Sequence, residues 1–440
     1  MSTDPYDPHG SGDIHVEHYD LDLSYRVASN RLAGTAGLRV RALTDLRAVV
    51  LDLAGLRVKA VSVAGAELAR YSHRGDRLRL RLAAPVAAGD LLEVSVRYEG
   101  HPEPVPSAWG TVGWEELTDG ALVASQPIGA SSWFPCNDRP ADRATYRTAV
   151  TTESAYHVLA HGQLVARTAR AGTTTWVYEE RHPTAAYLAT VQIGRYQEVT
   201  LADRPVPQRA LVPAALRKDA ARLLARHGEL VAELARLFGP YPFDAYTLVF
   251  TDDDLEIPVE AQGISVFGAN HVDPADGDER LVPHELAHQW FGNSVSVATW
   301  QHIWLNEGFA CYAEWLWSPH AGGPDTDALA RTWHERLAGL DEDLVLADPG
   351  PENIFDDRVY KRGALALHAL RLTLGEEAFF ALVRDWTDRF AGRSVTTADF
   401  RALAGEHAAR SGGERRAEAV ADLLTAWLDR PELPPLPARA

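Results

Sequence analysis

The segment HELAH, residues 284–288, places two imidazoles four positions apart, with a carboxylate directly after the first. On a helix, positions i and i+4 lie on one face, about 6 Å apart along the axis. His284 and His288 can therefore bind one metal ion, and Glu285 can reach a water on that ion without binding the metal itself. This HExxH motif is typical of zinc hydrolases.

A catalytic zinc needs a third protein ligand and leaves its fourth position to water. Glu307, in the segment WLNEGF, suits this role because a second helix packed on the first could present it. Gly292 and the stretch SVSVATW between the two segments allow the chain to turn back. Histidines that only pack in a core or on a surface can also match HExxH by chance. The later glutamate is an independent requirement, and it favours the zinc site over that alternative.

The elements that would position these residues follow from the hydrophobic pattern. In the first half apolar residues alternate, as in Leu78, Leu80 and Leu82, which predicts antiparallel strands. In the second half the apolar residues of 216–237 predict one helix ending at Gly239, followed by short strands at 246–252 and 262–269. Later segments, including 376–390, are helical in pattern, and Thr396 with Asp399 predicts a helix cap. The expected class is α+β, with a β domain at 1–204 and a mainly helical domain that carries the zinc motif at 205–440.

Composition limits the partners of the chain. It has 440 residues, 43 basic and 61 acidic side chains, and a formal net charge of -18. A surface this negative repels nucleic acid and anionic membranes, so we expect neither as a partner. Two cysteines cannot form a disulfide framework, and no apolar run predicts a signal peptide or a membrane span. The expected location is the cytoplasm.

The zinc motifs HELAHQWFGN and WLNEGFACYAE resemble those of the gluzincin aminopeptidases of the aminopeptidase N-like family. The resemblance extends to ASQPIGASSWFPCNDRP, FGPYPF and VYKRGALALHALR, and covers residues from about 15 to 435. It implies a saddle-like N-terminal β domain followed by a thermolysin-like catalytic domain. It also implies one Zn²⁺ per chain, bound by His284, His288 and Glu307, with Glu285 as general base and Tyr360 as donor to the transition state.

The resemblance also suggests how the substrate is held. Glu260 matches the family glutamate that pairs with the α-ammonium group of a peptide, and Gln126 matches a residue of the first substrate pocket. A solvated carboxylate at a strand end is the alternative for Glu260. Ile257 and Ala261 replace a glycine and an asparagine of the family motif, so the backbone around the substrate could differ here.

Glu314 lies seven residues after Glu307 on the predicted helix. This spacing fits a hydrogen-bond partner for one of the zinc histidines. An ordinary glutamate on the helix surface is the alternative interpretation.

Family members usually continue with a small β domain and a large helical domain, and this sequence resembles a truncated form that lacks the helical one. We expect a zinc-dependent aminopeptidase acting on peptides. An endopeptidase, or a bifunctional enzyme that processes longer peptides, is the alternative. A non-catalytic peptide-binding module that keeps its zinc is less favoured, because neither Glu285 nor Tyr360 is needed to hold the metal.

Overall fold

The chain forms two compact units in a computed structural model that describes residues 5–6, 9–272 and 278–438. The first unit comprises the chain up to Thr200 together with Arg209–Ala221 and Phe243–Val272, and the second comprises the remaining residues. Neither unit is one continuous segment. The boundary predicted between residues 204 and 205 stays a prediction. In the described part of the chain, no helix combines the length and the apolar character that crossing a membrane requires.

Strands dominate the first unit. They are β1 (Ile14–Arg26), β2 (Arg31–Ala42), β3 (Leu46–Asp52), β4 (Arg57–Ala64), β5 (Leu68–Arg74), β6 (Arg77–Val86), β7 (Leu91–Gly100), β8 (Val105–Ser107), β9 (Gly110–Leu117), β10 (Gly120–Ala124), β11 (Arg143–Glu153), β12 (His157–Ala160), β13 (Gln163–Arg170), β14 (Thr173–Ala185), β15 (Val191–Gly194), β16 (Tyr196–Ala202), β17 (Gln208–Pro213), β18 (Tyr246–Phe250), β19 (Val259–Ala261) and β20 (Ile264–Phe267).

The largest sheet has the order β13-β14-β11-β1-β2-β7-β4. Its neighbouring strands are antiparallel except for β1 and β11, which run parallel. Leu21, Leu23 and Tyr25 of β1 are buried, and the residues between them are more exposed. The alternation in the sequence therefore places one face of this sheet on the core.

Three further sheets belong mainly to this unit, in the orders β12-β15-β10-β9-β8, β3-β6-β5 and β16-β17-β18-β20-β19. The short strands predicted at 246–252 and 262–269 are β18 and β20, which pair in parallel. β19 pairs antiparallel with β20 and sets Glu260 opposite Ser265.

Helices dominate the second unit. The α-helices of the described residues are α1 (Arg217–Leu223), α2 (His227–Phe238), α3 (Leu281–Ala287), α4 (Trp304–Trp317), α5 (Thr326–Leu337), α6 (Asp357–Leu374), α7 (Glu376–Arg389) and α8 (Thr397–Asp429). A parallel pair of short strands, β21 (Ser296–Val297) and β22 (Ser394–Val395), lies among them. Strands followed by helices confirm the predicted α+β class.

The single helix predicted to end at Gly239 is in fact two helices, α1 and α2, separated by a turn at residues 224–226. In that turn the N–H of His227 donates to the carbonyl of Leu224, three residues earlier, whereas an α-helix joins residues four apart. His227 is buried, with Nδ1 3.0 Å from Gln208 Oε1. A hydrophobic pattern identifies a helix face but does not detect such a break. The predicted end is correct, since Gly239 caps α2 with φ 100°.

The predicted cap of α8 is confirmed. Thr396 Oγ1 accepts from the backbone N–H of Asp399, and Asp399 Oδ2 accepts from that of Thr396 at 2.8 Å. This reciprocal capping satisfies two N–H groups that have no partner within the helix. The predicted helix at 376–390 is α7.

Candidate metal centre and active site

The second unit brings His284 and His288 together through α3. His284 lies within the helix, and the backbone N–H of His288, the next residue after its end, donates to the His284 carbonyl at 3.3 Å. The two imidazole centroids are 5.0 Å apart, and both rings are buried. The i, i+4 spacing therefore places the two imidazoles side by side, as the sequence predicts.

After α3 the chain reverses toward the element that carries Glu307. Gly292 has φ 117°, a conformation that favours glycine, and its N–H donates to the Val295 carbonyl at 2.7 Å. The rings of Phe291 and Phe309 stack with centroids 4.1 Å apart, which fixes the turn against α4.

Helix α4 presents Glu307 to both histidines. Glu307 Oε2 lies 3.6 Å from His284 Nε2 and 3.6 Å from His288 Nε2. The ligand atoms offered by the three side chains all lie within 4.8 Å of one another. Two imidazole nitrogens and one carboxylate oxygen form the set of protein donors that catalytic zinc sites use.

The other nitrogen of each ring is already engaged. His284 Nδ1 lies 2.8 Å from Glu314 Oε1, and His288 Nδ1 lies 3.1 Å from the Phe291 carbonyl oxygen. A carbonyl oxygen can only accept, so Nδ1 of His288 carries the hydrogen and its Nε2 keeps a lone pair. Such contacts orient metal-binding imidazoles. The donor set therefore fits a zinc ion.

Charge in this centre favours a cation. Burial opposes protonation of His284, but hydrogen bonds with Glu307 and Glu314 outweigh it and raise its pKa to about 10. Burial alone would raise the pKa of Glu314, yet the hydrogen bond with His284 and the charge of Lys361 lower it. The ionised carboxylate of Glu314 adds negative charge to a buried centre, and a divalent ion would offset that charge.

Glu285 and Tyr360 belong to the same unit. Glu285 is 4% exposed and follows His284 on α3. Tyr360 lies in the first turn of α6, and its ring faces that of His284 with centroids 6.1 Å apart and an interplanar angle of 18°. A close approach of α4 and α6 makes this possible, because a Cβ atom on Gly308 would lie only 2.9 Å from the Cα of Gly363.

Glu260 and Gln126 lie in the first unit. Glu260, on β19, is 8% exposed. Gln126 follows β10, and its Nε2 is buried without a hydrogen-bond acceptor among the described residues. The structure thus brings His284, His288, Glu307, Glu314 and Tyr360 together, whereas the substrate roles of Glu260 and Gln126 stay predictions.

Two polar contacts of the centre were not anticipated from the sequence. Arg280 Nη1 lies 3.3 Å from Glu314 Oε2, and the Phe291 carbonyl supports His288. Arg280 precedes His284 by four residues, a spacing that could have identified it. A backbone carbonyl carries no such signal, since every residue has one.

Comparisons with known proteins agree with this geometry. Residues 231–427 match the Peptidase family M1 domain, and residues 15–188 match the Peptidase M1 N-terminal domain. The crystal structure of an M1 zinc metallopeptidase from Deinococcus radiodurans aligns over 99% of both chains, with a TM-score of 0.88 and 32% sequence identity.

Two other proteins extend the comparison. A mutant M1 zinc metallopeptidase from the same bacterium, bound to a Tyr-Ser-Ala substrate, aligns over 99% of both chains with a TM-score of 0.88 and 31% identity. Leucine aminopeptidase 2 of Coccidioides immitis is 24% identical over 454 residues, which span 96% of this chain and 71% of that protein. The chain belongs to peptidase family M1 and is a zinc-dependent aminopeptidase.

Proposed function

We propose that this enzyme removes N-terminal residues from peptides at a centre where His284, His288 and Glu307 bind the zinc. The observation that carries the proposal is the convergence of three buried ligand atoms within 4.8 Å of one another. Bound Zn²⁺ lowers the pKa of a coordinated water to about 7.

Glu285 and Tyr360 have complementary roles in this proposal. The Glu285 carboxylate takes the proton of the attacking water and then delivers it to the departing amine. The Tyr360 hydroxyl donates a hydrogen bond to the carbonyl oxygen of the substrate as negative charge develops there. The place of both side chains beside the histidines, on α3 and α6, supports these roles.

Glu260 is proposed to bind the free α-ammonium group, with Gln126 lining the first substrate pocket. A carboxylate that is only 8% exposed makes a stronger charge-assisted bond than one in open solvent. The mutant metallopeptidase with a bound Tyr-Ser-Ala substrate supports a short peptide as the ligand. The Nε2 of Gln126 is a donor without an acceptor among the described residues, which supports a polar partner for this side chain.

Glu260→Ala should selectively reduce cleavage of peptides that have a free amine. Loss of a charge-assisted contact costs about 1.5–3 kcal/mol, so kcat/KM should fall roughly 10- to 100-fold. The measurement is a mass-spectrometric time course on one long unstructured peptide, free or N-acetylated. Wild type should shorten the free peptide stepwise and leave the blocked one intact.

Glu256→Ala is the matched control, because Glu256 is an exposed glutamate close to Glu260 in the sequence. It should behave as wild type. Internal cleavage of the blocked peptide by wild type would favour the endopeptidase or bifunctional alternative. Equal cleavage of both peptides would remove Glu260 as an anchor for the amine.

Glu314→Gln should weaken zinc binding by about 10- to 100-fold, because Glu314 orients His284 through Nδ1. Competition for zinc with a colorimetric chelator measures this without reference to activity. Glu335→Gln, which changes an exposed carboxylate on α5, is the control. Unchanged competition in the Glu314 variant would assign Glu314 to packing alone.

Peptides are the substrates that the family implies, and we propose that neither nucleic acid nor membrane is a partner. The net charge of -18 supports this. We also propose a cytoplasmic location, which is supported by two buried cysteines that are both free thiols.

A further inference from the structure

An arginine-rich groove lies on the sheet β3-β6-β5 of the first unit. One face of this sheet is apolar and buried, and includes Val49, Leu51, Leu78 and Leu80. The groove on the sheet has a volume of about 610 Å³. Its charged lining consists of four exposed arginines, Arg47, Arg70, Arg79 and Arg81, which we call the arginine groove.

Strand register sets the spacing of these arginines. Arg70 of β5 pairs directly opposite Arg81 of β6, and Ser72 pairs opposite Arg79. Arg79 and Arg81 are two residues apart on β6, so their side chains leave the same face about 7 Å from one another. The sheet therefore presents Arg79 and Arg81 in line on β6, with Arg70 beside Arg81 on β5.

These arginines are not neutralised by the protein. Within the described ranges, no carboxylate oxygen lies within 4 Å of the side-chain nitrogens of Arg47, Arg70, Arg79 or Arg81. By contrast, Arg77 on the same strand lies 2.5 Å from Asp52, and Arg147 lies 2.6 Å from Asp20. Like charges directly opposite one another destabilise a sheet, so the Arg70–Arg81 pair costs stability in the absence of an anion.

We propose that the arginine groove binds an acidic, extended segment of a partner polypeptide. Side chains at alternate positions of an extended chain repeat every 7 Å or so, as the arginines of β6 do. Guanidinium groups bind carboxylates through paired hydrogen bonds, and the bound acid offsets the Arg70–Arg81 repulsion. This surface is a site separate from the metal centre, and it adds an interaction to the peptidase activity.

The lining of the groove favours a peptide over single-stranded nucleic acid. Its uncharged residues are Ala69, Ser72, Leu82 and Ala83, none of them aromatic. Proteins that bind single strands without sequence preference combine positive charge with aromatic rings on which bases stack. A short acidic segment contacts the groove alone. A long polyanion would also approach the rest of the protein, whose net charge of -18 repels it.

Fluorescence anisotropy on the full chain tests the proposal. The probe is a labelled peptide of alternating glutamate and serine, acetylated and amidated so that it offers no free N-terminus. It should bind wild type, and binding should weaken between about 50 and 200 mM salt. Arg70→Gln with Arg81→Gln should weaken binding about 10-fold or more, the scale of one lost charge-assisted hydrogen bond.

The control variant is Arg57→Gln with Arg170→Gln, which removes the same charge from exposed positions on β4 and β13. It should bind as wild type does, and the same peptide with glutamine for glutamate should not bind. Equal weakening by both variants would overturn the proposal, and so would tighter binding of oligothymidylate than of the acidic peptide. The groove variant should melt no lower than wild type, since it loses a repulsion. A lower melting temperature would show that the arginines support the fold instead.

Discussion

Glu285→Gln should leave the zinc content of the enzyme unchanged and lower kcat by about 10²- to 10⁴-fold, the range for loss of general acid–base catalysis. The amide has nearly the shape of the carboxylate, so it fits the same buried position on α3. It cannot take a proton from the attacking water. Glu285 is also outside the proposed ligand set of His284, His288 and Glu307, so we expect the variant to keep its zinc.

Metal analysis measures the zinc content, and steady-state kinetics on the same preparation measure kcat. Glu279→Gln is the control, because it changes an exposed glutamate shortly before α3. It should leave both quantities at wild-type values. If Glu285→Gln turned over peptides at a near-normal rate, Glu285 would not be the base. If it lost the zinc, Glu285 would have to be counted among the metal ligands.

Tyr360→Phe should lower kcat by about 10²- to 10³-fold and change KM little, the pattern for loss of one donor to an oxyanion. Phenylalanine keeps the ring that faces His284 at 6.1 Å, so packing in the first turn of α6 is preserved. Only the hydroxyl is lost, and its hydrogen bond matters most when charge develops on the substrate oxygen.

Kinetics over a range of peptide concentrations separate kcat from KM for this variant, and zinc content is checked in parallel. A normal kcat would refute the donor role. A raised KM with normal kcat would instead assign Tyr360 to binding of the ground state.

Local spacing explains why much of the centre could be predicted from the sequence. His284 and His288 share a face because four residues make about one helical turn, and Glu314 reaches His284 because it lies two turns beyond Glu307 on α4. The cap at Thr396 and Asp399 is equally local. The strands β18 and β20 followed from short apolar runs between helical segments.

Other features depend on contacts between distant segments. The approach of Gly308 to Gly363 joins two helices, and neither glycine alone indicates its partner. The break between α1 and α2 accompanies burial of His227 beside Gln208, which a helical pattern does not encode. The arginine groove requires the pairing of β5 with β6, because only that register sets Arg70 opposite Arg81.

Zinc content per chain, measured on wild type beside Glu307→Gln and His288→Gln, tests the central claim most directly. Wild type should hold about one equivalent, lose it to a chelator and recover it on addition of zinc, as a three-ligand catalytic site does. Each variant should hold far less zinc while keeping the circular dichroism of the wild-type fold. The account would be contradicted by variants that retain the full equivalent, or by a wild-type enzyme that binds no zinc even when it is supplied.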